Sequence, residues 1–580
     1  MSKCVYRSLP DMSKARNRVD GPLFFEGEKK IPAEIGAYAK GRRFFIRTYG
    51  CQANIRDEEI MAGYLASAGF SRTENESEAD LAIINTCAVR ENAEDKVYGQ
   101  IGVFKANADR NPSFILAVCG CMMQEEGVAE KLTKTYPYLS LVFGTHNVSD
   151  ILSLLNEVIV SRKRLVDVKS FPGAIIEGMP SVRLDGYKAF VNISYGCDKF
   201  CTYCIVPYTR GRERSRRPEA ILKECEDLAE RGFKQVTLLG QNVNSYGLDF
   251  KDGTTFASLL DQVAGLDIPH VRFLTSYPSQ FTDAMIDVMA RHPNIDKWLH
   301  LPVQSGSDSC LKRMGRRYTR EGYLDLVRRI RAKIPSIALT TDLIVGFPNE
   351  TAAEFEDTLS LCREVSYSSA FMFIYSPRRG TPAAAIKDGV GSEEKHARFL
   401  RLSRVIEETT SKHSLSMVGG TYSVLVDGPS KKDPSVLSGY APNGKLVNFK
   451  GPLYLKGAEV PVKIKESHTY SLIGEMVGEA IVHKAEDVAY LLRRDPLAKE
   501  YLRLDEAVRG DPEIKKLGED LVSAKKAMAL SMGRSEEYEA AKKTYEGLLR
   551  KIKNHPLLAN RAALQGAVED ILLQVRDSLK

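Results

Sequence analysis

The chain has 580 residues, 43% of them hydrophobic and 27% charged, with a formal net charge of +7. Such a length exceeds a single hydrophobic core and predicts about three to five domains. No apolar run approaches the roughly 20 residues that cross a bilayer, which excludes a membrane-spanning protein. The opening MSKCVYRSLPDMSKARNRVDG mixes Lys, Arg, Asp and Pro without an apolar segment, so a cytoplasmic, reducing location is expected. Eleven cysteines are too sparse for a disulfide scaffold, and in that compartment their clustering points to metal or redox chemistry. The charge fits an anionic partner and a solvated surface equally well.

Residues 1–41 carry no sustained period and read as an arm, with folded structure beginning near Arg43. Over 42–160 three β-like runs, from Arg42, Leu81 and Phe114, alternate with helix-like stretches such as DEEIMAGYLASAGF, which implies a small parallel α/β sheet. After a stretch holding Pro172, Gly173, Gly178 and Pro180, six further β/α alternations predict a whole or partial (βα) barrel over 183–415. They begin at YKAFVNIS and end at AFMFIYSP. Short strands broken by Gly and Pro, including TYSVLVDG, GKLVNF and AEVPVKIKE, predict a small OB-like β-barrel over 416–483. From 484 to 580 apolar residues recur at helical spacing, among them Leu497, Tyr501, Leu504, Val508, Ile514, Leu517 and Leu521, so an α-helical domain ends the chain. Asp495-Pro496 and Asp511-Pro512 each set a capping acid before a first-turn proline and mark two helix starts. The fold class is thus α/β and multidomain.

Cys197, Cys201 and Cys204 form a CxxxCxxC triplet on a loop after the first barrel strand, at the strand end where barrel active sites are built. Three thiolates leave one iron of a [4Fe-4S] cluster without a protein ligand, free to chelate S-adenosylmethionine (SAM) and deliver the electron that releases an adenosyl radical. A zinc knuckle is the competing reading, but no fourth Cys or His lies nearby at ligand spacing. Cys51, Cys87 and Cys121 each lie just beyond one of the three N-terminal strands, and neighbouring parallel strands would bring them together around a second [4Fe-4S] cluster. Cys119 falls within an apolar run and reads as core, and Cys4, Cys225, Cys310 and Cys362 stand isolated and read as structural.

TYGCQAN, NTCAVRENAEDKVYGQIG, YGCDKFCTYCIVPYTRGRERSR, HLPVQSGS with KRMGRRYTRE, and YSPRRGTPAA together resemble the methylthiotransferase family. That family joins a cluster domain, a radical SAM barrel and a TRAM domain in this order, and the match spans residues 42–482. The motifs are closest to the branch that acts on N6-dimethylallyladenosine in tRNA. The resemblance implies methylthiolation at C2 of that base, position 37 beside the anticodon, with two [4Fe-4S] clusters and SAM as cofactors. It also implies adenine contact by Tyr203, whose alternative is loop packing. Gln241 and Asn242, which replace the family's usual Gly-Gly-Glu segment, become candidates for the SAM methionyl group. Gln304, Ser305 and Gly346 sit at strand ends where cofactor contacts are expected.

Arg210, Arg212, Arg214, Arg216 and Arg217 follow the barrel cysteines at a density that suits phosphate contacts, or a solvated helix entry. The β-barrel, with Lys445, Lys450, Lys456, Lys463 and Lys465, resembles a TRAM domain, which implies contact with a tRNA anticodon stem-loop. The last hundred residues resemble the YlbF/YmcA-like helical proteins. Their apolar faces serve a bundle core, a protein partner or a second copy. The chain is otherwise expected to act as a monomer fed by a reducing electron-transfer protein. Competing functions are the same chemistry on threonylcarbamoyl-adenosine or a ribosomal protein side chain, and a non-catalytic RNA-binding adaptor.

Overall fold

Leu81–Thr86 and Ile115–Gly120 are buried at every position, the pattern of strands covered on both faces, and they take the centre of a parallel sheet. The computed structural model describes residues 4–17, 24–26, 31–88, 91–170, 175–478, 495–531 and 535–578. The chain divides into two compact units, Met1–Met476 and Val477–Lys580.

The N-terminal sheet has seven strands in the order Cys4–Ser8, Arg164–Asp167, Leu141–Phe143, Ile115–Gly120, Leu81–Thr86, Arg43–Thr48, Ser71–Arg72, each parallel to its neighbours. Its first strand corrects the expectation of an unstructured arm. Cys4 pairs with Arg164 and Val5 with Leu165, and Tyr6 Oη lies 2.8 Å from Thr133 Oγ1. Phe24–Glu26 pairs with Ile175–Glu177, and the helix Ala33–Ala39 buries Ile35 and Ala39 completely. These pieces were illegible because they are short, and the edge strand exposes its middle three residues, which leaves no alternation to read.

All six expected barrel strands form, as two parallel sheets of three. Lys188–Asn192, Gln235–Leu239 and His270–Phe273 make one; Trp298–His300, Ala338–Val345 and Ser369–Ile374 make the other. A parallel bridge from Val271 to Ile295 joins them. Helix-facing strand residues such as Val191, Leu238, Val271, Leu299 and Leu343 pack with Ile221, Leu260, Ile286, Val327 and Leu359 of the crossover helices in one core. The result is an open half-barrel rather than a closed one.

Thr421–Pro429, Leu437–Tyr440, Leu446–Phe449, Ser471–Met476 and Glu459–Ser467 close into the small β-barrel. Along Glu459–Ser467, Val460, Val462 and Ile464 point inward while Lys463 and Lys465 are exposed. Lys445 is a correction: it is buried, and its Nζ donates to Ser368 O at 3.1 Å and Ser414 Oγ at 2.9 Å. It docks the small barrel on the half-barrel instead of facing solvent.

The C-terminal unit holds helices Pro496–Gly510, Pro512–Leu530, Ser535–Lys553 and Pro556–Ser578. Asp495 accepts from the Leu497 and Ala498 amides, and Asp511 from those of Glu513 and Ile514, as the Asp-Pro pairs predict. Leu504, Val508 and Ala524 are buried, whereas Leu497, read as part of the apolar face, is 42% exposed. The expected start of this region, residue 484, lies outside the described residues. Among the described residues no helix is long and apolar enough to cross a membrane.

Candidate active site

Parallel register brings the N-terminal cysteines side by side. Thr48 stands opposite Asn85, Asn85 opposite Cys119 and Thr86 opposite Gly120, so three adjacent strands end level. Cys87 and Cys121 follow their strands directly, and Cys51 caps the helix Gln52–Ser67. Gly50 has φ +141°, and a Cβ there would stand 2.7 Å from Cys87 Cβ, so only glycine lets the two loops approach this closely. Asn54 ties them underneath, its Nδ2 donating to Thr86 O at 2.7 Å and to Asn85 Oδ1 at 3.2 Å. A hydrogen bond with Cys87 holds the Cys51 thiol down at about 5 against burial, helped by the Arg210 charge. Burial raises Cys121, with Arg210 opposing it. Cys119 is 1% exposed, in the core against Met61.

The barrel cysteines come from a single excursion. A two-stranded ribbon, Ser194–Tyr195 against Arg214–Ser215, closes its base, and inside it Cys197 N donates to Gly211 O at 3.1 Å and Cys204 N to Cys201 O at 3.0 Å. Gly196, at φ +73°, lets Arg212 O pass where a Cβ would come within 2.2 Å. Asp198 receives both Arg212 Nε at 2.6 Å and Arg212 Nη2 at 2.9 Å. Burial pushes the Cys204 thiol up to about 12 and raises Cys197. Arg316, missed in the sequence although it lies in KRMGRRYTRE, is stacked 4.4 Å from the Tyr277 ring centroid and 5.1 Å from that of Tyr318, with Nη1 3.7 Å from Cys201 Sγ.

The arginines after Cys204 are corrected as a group, since they do not form an exposed strip. Arg210 is 6% exposed and donates to Asp57 Oδ2 at 2.8 Å and to Cys121 Sγ at 3.2 Å. Arg216 is 7% exposed and meets Glu177 Oε2 at 2.8 Å and Glu224 Oε2 at 2.7 Å. Arg212 is taken by Asp198, and Arg214 is half-buried over Tyr195. Arg217 is the exposed member, 4.7 Å from the Phe24 ring centroid. Glu224 also receives Arg56 at 2.8 Å and Arg183 at 2.7 Å, and both of those arginines reach Glu59 at 2.9 Å. This buried network fastens the N-terminal helix to the half-barrel, because Arg56 reaches across to Glu224 and Arg183 reaches back to Glu59, and a buried charge that loses its partner is costly.

Tyr203 packs with Met314, Ile344 and Phe347; Ile344 N donates to Gln304 O at 3.0 Å, and Gly346 closes the turn by donating to Glu350 at 2.9 Å. Asn242 Nδ2 donates to Gln280 at 3.1 Å, and Gln241 beside it is half-buried. Ser305 is fully buried and faces Thr358 Oγ1 at 3.3 Å, so it pins a helix. A cavity of about 380 Å³ lined by Met12, Ser13, Glu125, Glu126, Tyr208, Arg379 and Gly380 lies beside these loops. Tyr208 in its wall also packs on Cys121 and Ile205 and meets Phe200 edge-on at 6.1 Å.

Over 473 residues, 81% of its length, the chain is 50% identical to the tRNA-2-methylthio-N(6)-dimethylallyladenosine synthases of Geobacillus kaustophilus and Bacillus subtilis, covering 89% and 93% of them. The chain belongs to that family. Within it, residues 191–362 match the radical SAM superfamily, 43–144 the uncharacterized protein family UPF0004 and 415–477 the TRAM domain. Residues 481–580 match the family described as control of competence regulator ComK, YlbF/YmcA. A looser likeness, TM-score 0.45 at 14% identity over 59% of this chain and 77% of the other, is to the radical SAM methyltransferase TsrM of Kitasatospora setae.

Membership in the synthase family makes SAM and [4Fe-4S] clusters the cofactors of this chain, in keeping with its cysteine spacing. Among the described residues no three His, Cys, Asp or Glu side chains stand at metal-holding distance as they are disposed here; what fits the clusters is the donor chemistry. Each set offers three thiols and an arginine aimed at a cysteine sulfur, the buried Arg210 at Cys121 and the half-buried Arg316 at Cys201. A guanidinium cannot shed its proton, so in a low-dielectric site it calls for the negative charge that three thiolates bring.

Proposed function

We propose that the chain is a radical SAM tRNA methylthiotransferase that adds sulfur and methyl at C2 of N6-dimethylallyladenosine, position 37 beside the anticodon. The observation that carries this reading is the five-residue helix Val206–Arg210. It starts just after Cys204 and ends with Arg210 on Cys121. At 1.5 Å per residue the helix spans about 7.5 Å and the Arg210 side chain covers the rest of the way to Cys121, a short path that lets both cysteine sets serve one base.

Cys197, Cys201 and Cys204 hold the barrel cluster, and Cys51, Cys87 and Cys121 the auxiliary one. When bound, the clusters and SAM supply the adenosyl radical that activates the unacidic C2–H bond, and the sulfur and methyl that replace it. The chain's own residues orient and exclude water. Tyr203, on its apolar bed of Ile344 and Phe347, offers a face to adenine. Met12 and Tyr208 give the cavity an apolar wall suited to a prenylated base, and Arg379 a cation for its phosphate. Arg217 and Lys463 are the exposed cations for the stem-loop, with Lys465, which is paired to Glu475 at 2.7 Å. An unpaired loop suits this geometry because its bases can splay outward.

The enzyme works in the cytoplasm as a monomer, reduced by an electron-transfer protein. The C-terminal helical unit takes a protein partner, a reading supported by exposed Leu502, Val522 and Leu530. Nucleoside analysis of tRNA from a strain lacking the gene tests the substrate: methylthio-N6-dimethylallyladenosine should vanish and its unthiolated precursor accumulate. Persistence of that nucleoside with loss of another methylthiolated product sinks the assignment.

A further inference from the structure

Arg210 closes the helix that leaves the barrel cysteines, yet the polar groups it meets belong to the N-terminal domain. Nη2 donates to Asp57 Oδ2 at 2.8 Å and reaches Asn54 Oδ1 at 3.4 Å, while Nε donates to Cys121 Sγ at 3.2 Å. The four residues are between 0% and 6% exposed. Docking of the two domains does not need this contact, because the network of Arg56, Glu59, Arg183, Glu224, Arg216 and Glu177 fastens them without touching a cysteine. A buried cation held by one anion and aimed at a sulfur acts on that sulfur's charge, and hydrogen bonds and charges around cluster sulfurs set a cluster's potential.

We propose that Arg210 is a positioning residue of the N-terminal cysteine site: reaching across from the radical SAM domain, it orients Cys121 and sets the charge felt by the cluster held there. The sulfur-donating site is therefore complete only when the radical SAM domain is docked. This inference rests on the reading that Cys51, Cys87 and Cys121 hold a [4Fe-4S] cluster.

The test uses the full-length chain carrying Cys197→Ala, Cys201→Ala and Cys204→Ala, so that only the N-terminal site can load. Iron content comes first: about four irons per chain, lost on Cys121→Ala, upholds the underlying reading, and no iron in the parent fails that reading before Arg210 is altered. Anaerobic redox titration followed by EPR then compares Arg210→Gln, Arg210→Lys and Asp57→Asn. Removing the cation should move the midpoint potential to more negative values, removing the anion should move it to more positive values, and Arg210→Lys should stay near the parent. Opposite shifts from Arg210→Gln and Asp57→Asn are what a mere staple cannot produce. Potentials and EPR signals unchanged in all variants, or shifted in the same direction by all, would overturn the proposal. If Arg210→Gln loads no iron while Arg210→Lys and Asp57→Asn load it, the site requires the charge and the proposal stands; if Arg210→Gln and Arg210→Lys fail alike, it does not.

Discussion

One loop carries Cys197, Cys201 and Cys204, tied into itself by backbone hydrogen bonds and closed by a short ribbon, whereas Cys51, Cys87 and Cys121 come from three loops levelled by strand register. The arginine beside the first set, the half-buried Arg316, belongs to the same half-barrel. The arginine beside the second, Arg210, is lent by the neighbouring domain. A site made from one loop survives changes in domain packing; a site made from three strand ends and a foreign arginine depends on it. Generation of the radical and donation of sulfur should therefore differ in what disturbs them.

The comparison breaks most completely at the local site. Cys201→Ala should take reconstituted iron from about eight to about four per chain and bring both SAM cleavage and tRNA methylthiolation to background, measured by iron assay and chromatography of 5′-deoxyadenosine. Next is the network between the domains. Glu224→Gln leaves Arg56, Arg183 and Arg216 without their shared anion and should cost about 3–5 kcal/mol of stability by denaturant titration. Burial alone would raise Glu224, but the three arginines outweigh it and bring it down to about 2. With the folded value below the ordinary one, this stabilisation is present above about pH 4.3 and is lost as pH falls toward 2. Acid unfolding should therefore lose that step in Glu224→Gln.

A smaller effect belongs to the small barrel. Lys445→Met leaves Ser368 O unsatisfied, at a cost of about 1–3 kcal/mol. Burial lowers Lys445 to about 8, so the unfolded chain binds more protons between pH 8 and about 10, and stability should rise over that interval in the parent and stay flat in the variant. Trp298, the only tryptophan, packs against Gly444 of the barrel and reports the docking by fluorescence. Smallest is the helical unit, where Asp511→Ala removes a cap and should cost about 1 kcal/mol by thermal melt.

Local patterns were legible in the sequence. The CxxxCxxC spacing, the six barrel strands and the Asp-Pro caps each depend on residues that are near neighbours in the chain. The convergence of Cys51, Cys87 and Cys121 was legible at one remove, because parallel strands fix where their ends lie. What stayed hidden depends on surfaces of other domains. Arg210 and Arg216 read as cations for phosphate because Asp57 and Glu177, which pair with them, are far away in sequence. The spacing of Arg212, Arg214 and Arg216 in GRERSRR was the available sign of an extended segment that turns alternate side chains to one face. Lys445 misled for the same reason, and the edge strand Cys4–Ser8 showed too little burial to betray itself.

The separation of radical generation from sulfur donation is tested most directly by the full-length chain with Cys51→Ala, Cys87→Ala and Cys121→Ala, reconstituted anaerobically with SAM, reductant and prenylated tRNA. It should keep about four irons and still form 5′-deoxyadenosine, while methylthiolated nucleoside is absent from the digested tRNA. Methylthiolated nucleoside at parental levels, or loss of 5′-deoxyadenosine formation in a chain that keeps its barrel cluster, would contradict it.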